Sequence, residues 1–341
     1  MLALQELTDR DLCAAVPALA PGQARALIAS IHRDRPLDPR PGLSRAALDA
    51  ALAQGELPTL SLVAAETSRR DPFSKLLLAT GDGHRIECVT MPLERPDRVS
   101  LCVSSQAGCA LACAFCATGR LGLARNLAAW EIVEQVRMAR RRLPAGQRVH
   151  GVVFQGMGEP LANLDRVAAA IRVITAPYAL AIDARAITVS TAGLPDGIRR
   201  LAVLAPRVRL AISIGSPRSE VRAELMPISR AHPLADVLAA AADHARATRL
   251  APLWAVTLLD GINDTPEDAI QLAALARSFT AVTGLAPRVS VIDYNPVAGA
   301  PFRTSDATAA FRDELAAHGV RSHHRYSGGA DIAAACGQLA G

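Results

Sequence analysis

Cys109, Cys113 and Cys116 stand in one short stretch with the spacing C-x3-C-x2-C. Thiolates this close are suited to an iron–sulfur cluster or to zinc. A 4Fe–4S cluster has four irons, so three cysteines would leave one iron with an open coordination position. Metal centres that do chemistry keep such a position open, whereas structural ones close it. Two blander readings stand beside this one. A zinc site would need a fourth ligand, and the nearest histidines, His84 and His150, lie at no finger spacing. Buried structural cysteines are also common. Spacing and context favour the cluster.

A reactive loop needs a scaffold, and from residue 98 the chain alternates strand, loop and helix. Apolar or β-branched runs at 98–104, 149–155, 185–190, 207–214, 252–259 and 287–294 read as strands buried on both faces. Helices are expected at about 127–142, 163–175, 195–204, 232–248, 265–280 and 305–318. Asn126 and Asn163 are placed at N-caps, and Thr265-Pro266-Glu267-Asp268 offers a cap, a proline at N1 and acids in the first turn. Gly319 follows the last helix where a C′ glycine belongs. Six βα units predict an α/β fold, a parallel and partial six-stranded βα barrel with function at the C-terminal ends of its strands. The cysteine loop follows the first strand.

Upstream, residues 1–70 read as short helices broken by Pro21-Gly22, Pro36, Pro39 and Pro41-Gly42. Lys75–Thr80 and His84–Met91, joined by Gly81-Asp82-Gly83, read as a β-hairpin. The expected organisation is a small helical accessory domain over 1–75, a β-hairpin linker over 76–97, and a barrel over 98–341 ending in a cysteine-bearing tail.

Composition sets broad bounds. The 341 residues are 50% hydrophobic and 3% aromatic, enough for a core built mostly from Ala, Leu and Val. The net charge of +5 is compatible with an acidic partner such as nucleic acid. Lys75 is the sole lysine, so arginine carries nearly all positive charge. Arg137, Arg140, Arg141 and Arg142 crowd one helix end, with pairs at Arg69-Arg70 and Arg199-Arg200. This is either a phosphate footprint or a response to the helix dipole. No basic-then-apolar leader and no uncharged run of 18 apolar residues occurs, so a cytoplasmic protein with no membrane contact is expected.

Small polar residues follow four other expected strands. They are Gln155-Gly156-Met157-Gly158-Glu159-Pro160-Leu161, Ser190-Thr191-Ala192-Gly193, Ser213-Ile214-Gly215-Ser216 and Asn295-Pro296. Together they outline a ligand pocket facing the cysteine loop, with Glu159 fit to bind an ammonium. Cys102 precedes the loop on the first strand, and Cys336 lies in the C-terminal segment Asp331–Gly341. Taken alone each would be structural, as Cys13 and Cys88 are expected to be.

C-x3-C-x2-C is the signature of radical S-adenosylmethionine (SAM) enzymes. The segments Leu101–Cys109, Gly119–Leu127, Gly156–Leu161, Val189–Gly193 and Ala335–Gly341 resemble the RlmN/Cfr family of radical SAM adenine methyltransferases. The resemblance implies one 4Fe–4S cluster per chain and two SAM molecules per turnover. One SAM would methylate Cys336. The second, split by an electron from a donor such as flavodoxin or ferredoxin, would give a deoxyadenosyl radical that activates this methyl group for addition to adenine. Cys102 would then release the product by forming a disulfide with Cys336.

Glu87, with Glu94 as the weaker match, corresponds to the family's base. SAM contacts carry over to Gly158, Glu159, Ser190, Ser213, Ile214, Gly215 and Asn295. The implied reaction is methylation of an adenine ring carbon, C2 rather than C8, in 23S rRNA, with tRNA as another RNA partner and a monomer as the working unit. Two departures bear on the substrate. Ser213-Ile214-Gly215 replaces Ser-Leu-His, and Ser327-Gly328-Gly329-Ala330 replaces a basic Arg-Gly segment, which marks a divergent paralogue. Other readings are a radical SAM enzyme acting on another RNA or a small molecule, and an RNA-binding protein with a structural cluster.

Overall fold

Ten strands form one continuous sheet in the computed structural model, which describes residues 1–340. Along the chain they are β1 (Ser61–Thr67), β2 (Ser74–Ala79), β3 (Arg85–Pro92), β4 (Arg98–Val103), β5 (Arg148–Phe154), β6 (Ile187–Thr191), β7 (Arg209–Ser213), β8 (Leu253–Leu258), β9 (Arg288–Asp293) and β10 (Ser322–Arg325). Neighbours in sequence are neighbours in the sheet. The strands from β4 to β10 pair in parallel. The strands β1 to β4 pair antiparallel.

Each parallel pair from β5 to β9 is linked by helix, because parallel strands need a long crossover. The helices are Leu164–Thr175, Pro195–Leu204, Leu234–Thr248 and Pro266–Thr283, with Ala129–Arg140 between β4 and β5 and Thr308–Ala317 between β9 and β10. Val152, Phe154, Val189, Ile212, Trp254, Val256 and Val291 are buried between sheet and helices. This is the partial α/β barrel expected from the six apolar runs. Among the described residues, no helix is long and apolar enough to cross a membrane.

The seventh parallel strand, β10, is Ser-His-His-Arg, an edge strand whose polar composition hides it from a periodicity reading. β1 is the opposite edge and is nearly all exposed. The β2–β3 hairpin forms as expected, closed by Thr80 and His84. Its strands continue the barrel sheet. Thr265 caps its helix through a reciprocal box with Asp268, and Gly319 takes φ +78.

Of the two asparagines expected at N-caps, Asn163 takes that position and Asn126 does not. Asn126 lies on a short strand, where its Oδ1 accepts from Gln106 Nε2, and Ala128 stands at the N-cap instead. Asn163 precedes its helix but makes no cap bond. Its amide donates to the Ser105 and Leu127 carbonyls, tying two loops together.

The gap between β10 and the antiparallel strands is bridged by residues 326–340 rather than by a strand. Asp71 accepts from Tyr326 Oη and from the Gly329 N–H, and Asp331 accepts from Ser68 Oγ and the Arg69 N–H. Further along, the Ala117 N–H donates to the Gly337 carbonyl, and the Ala340 N–H donates to Glu87 Oε2.

Candidate active site

The loop 109–116 leaves β4 through a short ribbon of Gln106–Cys109 against Gly122–Asn126. It is pinned on three sides: Cys116 N–H to the Cys113 carbonyl, Ala114 N–H to Leu225, and Ala117 N–H to Gly337. The next loop is stitched to the same strand end. Met157 N–H donates to Ser104 Oγ (2.9 Å) and Glu159 N–H to Gln106 Oε1 (2.7 Å). Gly158 sits at φ +99, and a Cβ there would lie 2.5 Å from Gln106 Cβ, so this close approach requires glycine.

These elements enclose a cavity of about 150 Å³. Cys109, Cys113, Cys116, Gly158, Glu159, Ser190, Ser213, Gly215 and Cys336 all line it. Burial pushes the Cys109 thiol up to about 11 and also raises Cys113 and Cys116. Such thiols become thiolates when a cationic metal centre compensates the charge. Among the described residues, no three such side chains converge on a single metal ion. The three cysteines line one shared space, as ligands of a multi-iron cluster would.

Glu159 is 3% exposed. Its Oε1 accepts from the Leu161 N–H (3.0 Å) and its Oε2 from the Ala192 N–H (2.9 Å). Burial raises its carboxyl above the ordinary range, against these donors. A buried carboxylate facing a cavity is complementary to an ammonium group. The donor set and the carboxylate therefore fit a 4Fe–4S cluster with SAM beside it.

Cys336 is held by its N–H to Ser327 Oγ (2.8 Å) and by Asn295 Nδ2 donating to its carbonyl (3.2 Å). It lines the cavity together with Cys113 and Cys116. Burial, then Cys336, pushes the Cys102 thiol up to about 12, while Arg325 and the Gln155 N–H act in the opposite sense.

Comparison with known proteins identifies the family. Residues 103–276 match the radical SAM superfamily. A probable RNA methyltransferase of Sorangium cellulosum is 56% identical, over 93% of this chain and 87% of its own length. The dual-specificity RNA methyltransferase RlmN of Syntrophobacter fumaroxidans is 45% identical, over 83% of this chain and 81% of its own. The chain belongs to the RlmN/Cfr family of radical SAM methyltransferases. A crystal structure of a radical SAM methyltransferase from Sphaerobacter thermophilus superposes with TM-score 0.89 at 35% identity, covering 99% of both chains.

Not every expected site residue reaches the cavity of this RlmN/Cfr member. Ile214 is fully buried away from it, because its backbone belongs to the strand end while its side chain packs in the core. Asn295 orients the Cys336 loop and does not line the cavity. Glu87 and Glu94 lie at opposite ends of the barrel. Register pairs Val89 with Cys102 and Pro92 with Val99, so Glu87 lies at the C-terminal end of β4 while Glu94 lies beyond its start. Glu87 is buried, and its Oε1 meets Lys75 Nζ at 2.9 Å. Glu94 is exposed. The Cys102–Cys336 disulfide is not formed, and all seven cysteines are free thiols.

Three of the four arginines at this helix end are engaged, while Arg142 is exposed and its side chain donates only to the Met138 carbonyl. Arg137 and Arg141 pair with Asp34 and Glu134, and Arg140 donates to the His32 carbonyl. Arg199 and Arg200 pair with Asp243 and Asp165. Arg69 and Arg70 are exposed beside the tail.

Arg222 was not singled out in the sequence. It is fully buried and donates to the carbonyls of Ile214 (2.8 Å) and Ala192 (2.6 Å), fixing two strand ends of the pocket. Its spacing from Leu225 and Met226, which share its buried face, was the available signal.

Both departures from the family pattern are built into the packing. At Gly215, φ is +71 and a Cβ would lie 2.6 Å from Met226 Sδ. At Gly328, a Cβ would lie 2.5 Å from the Phe73 ring.

Proposed function

We propose that this protein methylates a ring carbon of adenine in RNA, C2 in preference to C8, with 23S rRNA as substrate and Cys336 as the methyl carrier. It is a radical SAM methyltransferase by family. The observation that supports this reading is that Cys336 lines the same cavity as Cys109, Cys113 and Cys116.

When bound, the cluster and SAM supply an electron and a carbon radical. Cys109, Cys113 and Cys116 would hold the cluster, and Glu159, with Ser190 and Ser213, would orient SAM. Cys336, methylated and then joined to the base, holds the adenine at the cavity. Glu87 takes the ring proton. The Cys102 thiolate attacks the Cys336 sulfur, forming the S–S bond as the C–S bond breaks; the electron pair of that bond stays with the departing methylene carbon, which takes up a proton to become the product's methyl group. Loop residues Ser327 and Asn295 set the position of Cys336 for each stage. An electron donor such as flavodoxin or ferredoxin completes the set of partners.

The test is Cys102→Ala, expressed without oxygen and with iron supplied. RNA covalently attached to Cys336 is expected, and sequencing it identifies the substrate. tRNA in place of 23S rRNA would revise the target and keep the chemistry. Unmodified Cys336 beside an intact cluster would overturn the reading.

A further inference from the structure

In a chain whose positive charge is almost all arginine, the sole lysine is buried against the proposed base. Lys75, on β2, is 7% exposed and Glu87, on β3, is 4% exposed. Their Nζ and Oε1 are 2.9 Å apart. Their strands are neighbours, and register sets Glu87 beside Leu77, two residues along from Lys75. The Ala340 N–H donates to the other oxygen, Oε2, at 2.8 Å. The Glu87 carbonyl accepts from Ser104 Oγ, which fixes the backbone of the base to the end of β4.

We infer that Lys75 is the positioning residue of the methyl-transfer reaction, holding Glu87 as an ion with Oε1 engaged and Oε2 directed to the substrate. The inference rests on the proposed role of Glu87. A carboxylate out of water needs a counter-charge to remain ionised. Lysine supplies it as a point charge that fixes one oxygen, whereas arginine's fork would engage both. The second oxygen now meets a backbone N–H, a donor in the place where a ring C–H must come. Proton transfer moves that hydrogen to Oε2 and the C–H electron pair stays with the ring, while the one surplus electron of the radical adduct would pass back to the oxidised cluster. Lys75 exchanges no atom in this step. Ala340 has to leave Oε2 beforehand, so displacement of the tail precedes proton transfer.

The experiment uses full-length protein with its cluster reconstituted and a rRNA fragment containing the target. Lys75→Met and Glu87→Gln are each followed for two species, the Cys336–RNA adduct and the released methyladenine. Both variants are expected to form adduct at the wild-type rate and to release product slowly. The slowing is about 10²–10⁴-fold for Glu87→Gln and roughly tenfold or more for Lys75→Met. The double variant is expected to be no slower than Glu87→Gln alone, since residues acting as a unit are not additive.

A purely structural lysine would lower adduct formation and leave its resolution unchanged, which would overturn the inference. So would Lys75→Met releasing product at the wild-type rate. If Lys75→Met folds poorly, Lys75→Gln keeps a donor without charge and is judged by the same two rates. Wild-type protein that forms neither species would refute the proposed function itself and is thereby distinguished from failure of the Lys75 role.

Discussion

Replacing Glu159 by glutamine removes one charge from the cavity and leaves the shape of the side chain intact. In the native fold both carboxylate oxygens accept backbone N–H groups, from Leu161 at 3.0 Å and Ala192 at 2.9 Å. Glutamine keeps one acceptor and turns an NH2 group toward the other N–H. One buried bond is lost, at a cost of about 1–3 kcal/mol in stability. Binding changes for a different reason. A charge-assisted bond from the carboxylate to the ammonium of SAM contributes about 1.5–3 kcal/mol. Its loss weakens SAM by about 10–150-fold. Calorimetric titration of SAM into anaerobic, cluster-loaded protein reads the affinity, and the visible absorption of the cluster shows that the metal centre is unchanged. A SAM affinity within threefold of wild type, with the cluster intact, would refute the assignment of Glu159 to the ammonium.

Two further outcomes are expected. Restoring the family's histidine with Gly215→His forces a non-glycine residue into φ +71 and its Cβ to 2.6 Å from Met226 Sδ. Destabilisation of about 2–4 kcal/mol is expected in urea unfolding, with partial recovery in Gly215→His/Met226→Ala. His32 is fully buried, and burial, followed by Arg137, lowers it to about 3. The unfolded chain takes up a proton near pH 6.5 that the fold refuses. The penalty is therefore absent above that pH and grows as pH falls toward about 3. Between pH 6.5 and 5, His32→Leu is expected to lose about 2 kcal/mol less stability than wild type, measured by urea unfolding at each pH. Equal losses would remove His32 from the account.

The barrel was legible because parallel strands buried on both faces announce themselves as apolar runs, and each of the six was found within a few residues of its expected limits. The cysteine loop was legible because its spacing is local. β1 and β10 were not, since edge strands carry polar or mixed residues and gain their conformation from a neighbour. Asn126 and Asn163 read as caps on residue type alone, yet long-range partners engage both side chains. The choice between Glu87 and Glu94 depended on strand register, a non-local quantity. The arginine cluster looked available because Asp34, which pairs with it, lies about a hundred residues earlier and meets it only after folding. Lys75 was visible as a compositional oddity, but its meaning needed the 2.9 Å contact with Glu87.

The tail spanning the two sides of the sheet has a mechanical consequence. Had an eighth parallel strand closed the barrel, admitting a large substrate would mean unzipping a backbone ladder, a cooperative rupture approaching global unfolding. Here the closure is a row of separate latches at Asp71, Asp331, Gly337 and Ala340. The latches at Asp71 and Asp331 hold two hydrogen bonds each and those at Gly337 and Ala340 one each, so each costs far less to open than a ladder. The segment carrying Cys336 is thus held by bonds that can part without disturbing the ladder that carries the cysteine loop.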